Sequence, residues 1–594
     1  MNPQSPAITE EKLARLREIL PEAFAEGKVD WEKLRVILGR DGEFKDERYH
    51  LNWAGKSGAY RALQSPTTTT LAPCRAESVD FDGAQHVFIE GENLAVLKAL
   101  QKAYFGKVKM IYIDPPYNTG SDQFIYPDRF AESKKDYQKR VGDMDDEGHL
   151  TREGLFRKNS RENGHYHSNW LSMIYPRLFL ARNLLREDGV IFVSIDDNEA
   201  HNLRLAMNEI FGEENFVACF SWRRTDNQPN IGNVARIKEY VLCFSKNENS
   251  FKFNKMQLTE RAKKEYRYSD DRGLFRRDIL LHKTRGRHVY SVTTPSGMIL
   301  DGPWMIKEDE FNKLLNSNGI YWTSGKQEQP YGKIYLADSA GQITSDFLGI
   351  EFGSNQQGSI EVEKIFGARY FDFPKPSSLI KHFVVLGSDS DGIVLDFFAG
   401  SCTTAHAVLD LNAEDCGKRK FICVQMPEAC DEKSEARKAG YKTIADIGKE
   451  RIRRAINNGE LNAGLKVFKL RESNFKQWRG DVKDADELAA QMKLHTDPLV
   501  DGAEEEDILY ELLLKSGVSL TARMRDHGSW YLVEDADVKI AVALTRIDAA
   551  TVKDILAASP DKVITLDRLF QNNDQLKTNT ALQMEDAGVE FDVV

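Results

Sequence analysis

A chain of 594 residues is too long for one hydrophobic core, so several domains are expected. Its 41% hydrophobic and 29% charged residues are ordinary for a globular protein; no apolar run approaches the ~20 residues that span a bilayer, and the first residues lack a basic-then-apolar signal pattern. A cytoplasmic protein is expected. The net charge of −11 is unevenly placed: residues 471–594 hold 14 basic and 25 acidic residues, the chain before them is neutral, and 251–300 carry 12 basic against 5 acidic. That local excess leaves room for a polyanionic partner. Seven cysteines include no Cys-x-x-Cys pair, which excludes a zinc site or disulfide framework of the usual spacing.

Residues 9–39 predict a helix, with Thr9 as its cap and Leu13, Leu16, Ile19 and Leu20 at helical spacing. Thr67 to Thr70 predict an irregular connection. Gly55-Lys56-Ser57 is not a phosphate loop, which needs a glycine five residues before the Gly-Lys pair; position 50 is His. From Val87 strands and helices alternate: a strand at 87–89, a helix marked by Leu94, Leu97 and Leu100, and a buried strand at 110–114. Residues 121–168 are polar and without period, too long for a passive connection, which predicts a lid or clamp; His165 and His167 there read as solvated loop residues. A helix at 169–185 and strands at 189–195 and 240–245 complete an α/β run.

The alternation lapses over 251–365, where Arg272, Arg276, Arg277, Lys283, Arg285 and Arg287 sit among Phe275 and Tyr290. Arginine at this density, inside an interrupted α/β domain, suits phosphate contact and base-edge reading better than a merely solvated face. Strands resume at 393–398 and 420–425 around a helix from Thr403 through Leu411, and 444–456 predicts a basic helix. The acidic remainder, with a charged break at 501–507, predicts a separate α/β appendage.

Two corners carry the chemistry. The strand at 110–114 stops on Pro115 and Pro116, which cannot donate to a ladder or extend a helix. Asp114 and Tyr117 are left at the carboxyl end of a strand, where open α/β sheets bind ligands. An acid that accepts amino hydrogens and a ring that stacks suit a flat, nitrogen-bearing substrate. The strand ending at Asp396 turns at Gly400 and opens a helix at Thr403, so close backbone approach and free N–H groups can receive a cofactor. A nicotinamide dehydrogenase would need a Gly-x-Gly-x-x-Gly run, which is absent.

Asp114-Pro115-Pro116-Tyr117 resembles the catalytic motif of amino-methylating DNA methyltransferases, and Asp396-x-Phe398-x-Gly400-x-x-Thr403-Thr404 resembles their S-adenosylmethionine loop. The first precedes the second by 282 positions, the circularly permuted order of the β class. Glu90-Gly91-Glu92-Asn93, Asn169-Trp170-Leu171, the run from Ser194 to Glu199, Phe373-Pro374-Lys375-Pro376 and the run from Asn573 to Asn579 resemble the modification subunits of type III restriction–modification systems, most loosely over 251–365.

The resemblance implies a Rossmann-like, doubly wound α/β methyltransferase sheet. It implies a helical segment at 1–80, a catalytic half at 81–250, a target-recognition insertion at 251–365, a cofactor half at 366–470 and an acidic α/β domain for dimer or partner docking at 471–594. The implied reaction is methylation of adenine N6 in a base flipped out of double-stranded DNA, without a metal, at Asp114, Pro115, Pro116 and Tyr117. S-adenosylmethionine would be held by Asp396, Phe398, Ala399, Gly400, Ser401, Thr403 and Thr404, with Glu92, Lys375, Pro376, Gln425 and Glu428 around them. A homodimer and a separate ATP-dependent restriction subunit are implied as partners. N4-cytosine methylation is the alternative, disfavoured by an Asp where many cytosine enzymes have Ser. Two positions depart from the family. Cys402 stands where Gly is usual, so its side chain could crowd the cofactor or resist a positive φ, and a catalytically silent recognition scaffold becomes a second alternative. Gln425 stands where many relatives place an acid for the ribose hydroxyls.

Overall fold

The computed structural model describes residues 51–120, 165–230, 232–325, 327–458, 463–476, 498–570 and 573–594, with short pieces at 16–17, 19–20, 23–25, 28–37, 123–124, 157–158 and 488. They divide into two compact units, Met1–Lys252 with Ser345–Val594, and Phe253–Thr344. No helix among the described residues is long and apolar enough to cross a membrane.

The first unit is built on one ten-stranded sheet. Its strands in chain order are β1 (Thr69–Pro73), β2 (His86–Glu90), β3 (Val108–Ile113), β4 (Leu185–Ile195), β5 (Phe216–Arg223), β6 (Lys238–Ser245), β7 (Phe347–Leu348), β8 (Ile393–Asp396), β9 (Lys420–Gln425) and β10 (Leu465–Glu472). Across the sheet they run β7-β5-β6-β4-β3-β8-β9-β2-β10-β1. The six from β4 to β10 are mutually parallel, and β5, β6 and β1 are antiparallel to their inner neighbours. Every residue of β3 is buried, as a strand covered by helices on both faces requires, and its one charged member, Lys109, pairs with Asp188 at 2.8 Å. The helices are α1 (Lys56–Gln64), α2 (Asn93–Tyr104), α3 (Tyr166–Leu184), α4 (Ala200–Phe211), α5 (Asn355–Phe366), α6 (Ser377–Gly387), α7 (Thr403–Asp415), α8 (Ile444–Asn458) and α9 (Glu505–Lys515).

Several expectations need correcting. The helix predicted over 9–39 is interrupted by the pair Phe24–Ala25 and Lys28–Val29 and resumes only at Trp31–Ile37; Thr9 and Leu13 lie outside the described residues. Of the threonine-rich stretch, Thr67 and Thr68 are irregular as expected, but Thr69 and Thr70 begin an edge strand, β1, paired to β10. Most of 121–168 lies outside the described residues, so the lid or clamp does too. The compact insertion is narrower than 251–365, because β7 and α5 belong with the main sheet. Nor are residues 471–594 a separate appendage. They carry their own five-stranded sheet, β11 (Arg523–Asp526), β12 (Tyr531–Asp535), β13 (Val538–Ala543), β14 (Lys562–Thr565) and β15 (Glu590–Val593) in sequential order. Yet α9 packs on β1 and α2, and Tyr510, Leu514 and Leu520 lie in the main core.

Candidate active site at the turning point of the sheet

β3 and β8 are adjacent and parallel, with Val394 opposite Met110 and Leu395 opposite Ile111. Asp114 and Asp396 therefore leave the sheet on the same rim. From β3 the chain crosses through α3 to β4 on one side; from β8 it crosses through α7 to β9 on the other. Strand order reverses between them, the place where open α/β sheets form a ligand crevice.

At the first corner the Pro-Pro bend is fixed from behind, since the Trp170 indole donates to the Pro116 carbonyl at 2.7 Å. The Tyr117 hydroxyl lies 2.8 Å from Asp114 Oδ1 and 3.1 Å from Glu239 Oε2. Lys375 Nζ donates to Asp114 Oδ1 and Oδ2 at 3.0 and 2.9 Å and to the Tyr117 oxygen at 2.9 Å, and it lies 3.3 Å from Glu239 Oε2. Burial would lower the Lys375 pKa, but Asp114 and Glu239 outweigh it and the ammonium stands above the ordinary lysine value. Burial would likewise raise that of Glu239, but Lys375 and Arg224 hold it below the usual range. Burial, then the Asp114 charge, holds the Tyr117 phenol well above its usual value.

At the second corner the aspartate meets neutral donors. Asp396 is 3% exposed; its Oδ2 accepts from Thr404 Oγ1 at 2.5 Å and its Oδ1 from the Phe398 N–H at 3.0 Å. Burial pushes its carboxyl up to about 7, only partly opposed by these two bonds, and Asp114 adds to the rise. Gly400 takes φ 51°, and a Cβ there would meet the Phe371 ring at 3.3 Å. Ser401 and Thr403 are held from below by Arg451 of α8, wholly buried, whose Nη1 donates to their hydroxyls at 3.0 and 2.8 Å.

A family described as DNA methylase matches residues 108–436, a span that includes both corners. The chain is 36% identical over 504 residues to the type III restriction–modification enzyme StyLTI Mod subunit of Salmonella typhimurium, covering 80% of this chain and 76% of that one. It is 31% identical to the EcoP15I Mod subunit of Escherichia coli and 31% to the EcoPI Mod subunit of Escherichia phage P1, in each case over 98% of this chain and 97% of the relative. The chain belongs to the Mod subunits of type III restriction–modification enzymes. It is accordingly an S-adenosylmethionine-dependent DNA methyltransferase. The Asp396 corner fits that cofactor, because Gly400 keeps the turn clear of a side chain and Thr403 opens α7 just beyond it.

In this Mod subunit the expected cofactor residues do not all face one place. Asp396, Phe398, Ala399, Gly400, Ser401, Thr403 and Thr404 form the turn. Gln425 joins it through Oε1, which accepts from the Gly400 N–H at 2.7 Å. Glu92 caps α2, taking the Leu94 and Ala95 N–H groups at 2.9 and 2.8 Å, and pairs with Arg177 at 2.6 Å. Beside it Asn93 donates to the Phe397 carbonyl at 2.8 Å, which ties α2 to the turn. The Glu428 carbonyl accepts from Ile444, and Pro376 caps α6. Lys375 departs most clearly from expectation, pointing its ammonium at the other corner.

Cys402 does adopt φ 60°, as its place demands, but its sulfur is buried: a Cβ at Gly448 of α8 would come within 2.7 Å of it. The crowding is thus taken up by a glycine in the helix below. Three of the residues that bind the site together escape a local reading of the Mod sequence. Glu239 precedes an apolar strand and reaches the rim only because β6 runs antiparallel to β4. Arg451 does leave a trace, as a charge four residues after the buried Ile447. Gly358 of α5 is an unremarked helix glycine whose missing side chain admits the Pro374 carbonyl, 2.1 Å from where a Cβ would stand.

The second unit holds the basic residues. Its four-stranded antiparallel sheet is ordered Tyr268–Asp270, Gly273–Ile279, Pro330–Tyr335, Ile320–Trp322, beside a core of Leu280, Trp304, Phe311 and Ile320. Arg277 lies 4.6 Å from both the Tyr268 and Tyr331 rings, and Arg276 lies 6.0 Å from Tyr266. Arg272 pairs with Asp338 at 2.8 Å, while Lys283, Arg285 and Arg287 are exposed together.

Proposed function

We propose that this Mod subunit methylates the exocyclic N6 of adenine in duplex DNA, with the Asp114 corner receiving the base. The observation that carries this reading is the meeting of two distant motifs on adjacent parallel strands at the turning point of one sheet. Flipping the adenine out of the stack costs about a few kcal/mol. The Tyr117 ring would stack on it, and the Asp114 carboxylate with the Pro115 carbonyl would accept its amino hydrogens. These contacts hold the nitrogen lone pair toward the second corner, so that positioning and fixed charge carry the acceleration. S-adenosylmethionine, held by the Asp396 turn, supplies the electrophilic methyl group. The proton lost from nitrogen is drawn toward the Asp114 side of the pocket.

Target recognition is assigned to Phe253–Thr344, supported by the clustered arginines and tyrosines of its sheet. The relatives' names as Mod subunits support association with a restriction subunit; co-purification tests it, and sedimentation tests pairing of two copies. Mass analysis of nucleosides from host DNA expressing the protein should yield N6-methyladenine, and sequencing of that DNA the site. N4-methylcytosine in its place would sink the base assignment.

A further inference from the structure

Lys375 sits in a Pro-Lys-Pro run expected at the cofactor, yet all its donors are spent on the other corner. The ammonium has three hydrogens and meets Asp114, Tyr117 and Glu239, at 2.9, 2.9 and 3.3 Å. Its place is fixed by backbone. Pro374 and Pro376 flank it, and the Pro374 carbonyl presses on α5 at Gly358. Glu239, 3% exposed, is held in turn: Oε1 accepts from Arg224 at 3.0 Å and Oε2 faces Lys375 and the Tyr117 hydroxyl. Two carboxylates and two cations balance. Of the two carboxylates around the ammonium, Glu239 is 4% exposed whereas Asp114 is 29% exposed; the Lys375 side chain between them is 9% exposed. Only Asp114 offers accessible lone pairs to an incoming base.

We propose that Lys375 and Glu239 are a positioning couple for the base side of the reaction: Lys375 fixes the rotamer of Asp114, and Glu239, acting through Lys375 and the Tyr117 hydroxyl, fixes the ring on which the base stacks. This rests on the reading that Asp114 and Tyr117 receive the base. An unrestrained carboxylate rotates among its rotamers, and a misplacement of about 1 Å at a reacting group costs on the order of 10²-fold in rate. Neither residue touches the base or the methyl group, so the loss belongs to kcat and not to ligand affinity.

The full-length protein is tested with unmethylated DNA, measuring kcat and KM for methyl transfer, S-adenosylmethionine affinity by calorimetry, and thermal melting. E239Q keeps the shape and leaves Lys375 paired to Asp114, so it should fold; kcat should fall about 30-fold, with KM for DNA and cofactor affinity within about twofold of wild type. K375M should lower kcat about 10²-fold, again with cofactor affinity retained, and adding E239Q to it should cost little more, because the pair acts as a unit. E239Q at the wild-type kcat overturns the proposal. A folded K375M that loses cofactor affinity tenfold overturns it in favour of a cofactor role. If K375M fails to melt cooperatively, E239Q alone decides. Wild-type protein that transfers no methyl group to any DNA overturns the functional reading, and this inference with it.

Discussion

β3 and β8 lie side by side and each ends in an aspartate, but the two carboxyls live in opposite surroundings. Asp114 is partly exposed and faces an ammonium and a phenol; Asp396 is sealed in and, among the described residues, accepts from a hydroxyl and one N–H group. At the first corner cations accompany the acids into the protein, and Lys375 and Arg224 hold Glu239 below the usual carboxylate range. At the second, burial without a cation makes the neutral acid the cheaper form, and the carboxyl is pushed up to about 7. The same residue type on the same rim of neighbouring strands therefore performs two jobs. One stands partly exposed beside an ammonium and a phenol; the other ties a turn to a helix start.

Removing Asp114 should break the comparison most sharply. D114A leaves Lys375 paired with Glu239, so the fold and the cofactor corner should hold, while transfer of labelled methyl to DNA falls by about 10³-fold. Undiminished incorporation would remove Asp114 from the chemistry and, with it, the distinction between the corners.

The second corner predicts a pH dependence of unusual sign. An aspartate carboxyl ordinarily titrates near 3.8, and burial pushes that of Asp396 up to about 7 in the folded chain. Between these values the folded state holds a proton that the unfolded state has released, so Asp396 lowers stability progressively as pH rises from about 4 to about 7. The effect is bounded at roughly 2–4 kcal/mol. D396N cannot titrate. Its melting temperature should therefore gain on wild type across that interval and level off above it, and a difference independent of pH would show that burial does not raise the Asp396 carboxyl.

Why one corner was readable and its supports were not follows from where the information lies. The strands β3, β4, β8 and β9 announce themselves as apolar runs, and the bends after Asp114 and Asp396 are written in Pro and Gly. Thr69 and Thr70 read locally as part of a loop and start a strand only because β10 pairs with it and α9 packs against it. Glu239 is one acid among many until the antiparallel turn of β6 delivers it to the rim. Lys375 could be placed near the site by its motif, but which corner it serves depends on how closely Pro374 approaches Gly358, and no spacing encodes that. Likewise the acidic C-terminal stretch looks detachable by composition, whereas Tyr510 and Leu514 make it part of the main core.

The smallest effect should come from Cys402, and it tests whether the second corner tolerates its departure from glycine. C402G removes a left-handed residue that costs about 1 kcal/mol, but it also empties the space filled by the sulfur and loosens the unfolded chain, each worth a similar amount. The terms nearly cancel, so melting should shift by no more than a few degrees and cofactor affinity by no more than a few-fold. The informative variant is G448A. In wild type its Cβ would lie 2.7 Å from the Cys402 sulfur and 3.2 Å from the Gly400 carbonyl, so it should destabilise clearly. In the C402G background the nearer obstacle is gone, and the same alanine should cost less by about 1 kcal/mol or more in a double-mutant cycle. Equal costs in both backgrounds would mean that Gly448 serves the Gly400 carbonyl alone and that the cysteine is accommodated by something other than the helix beneath it.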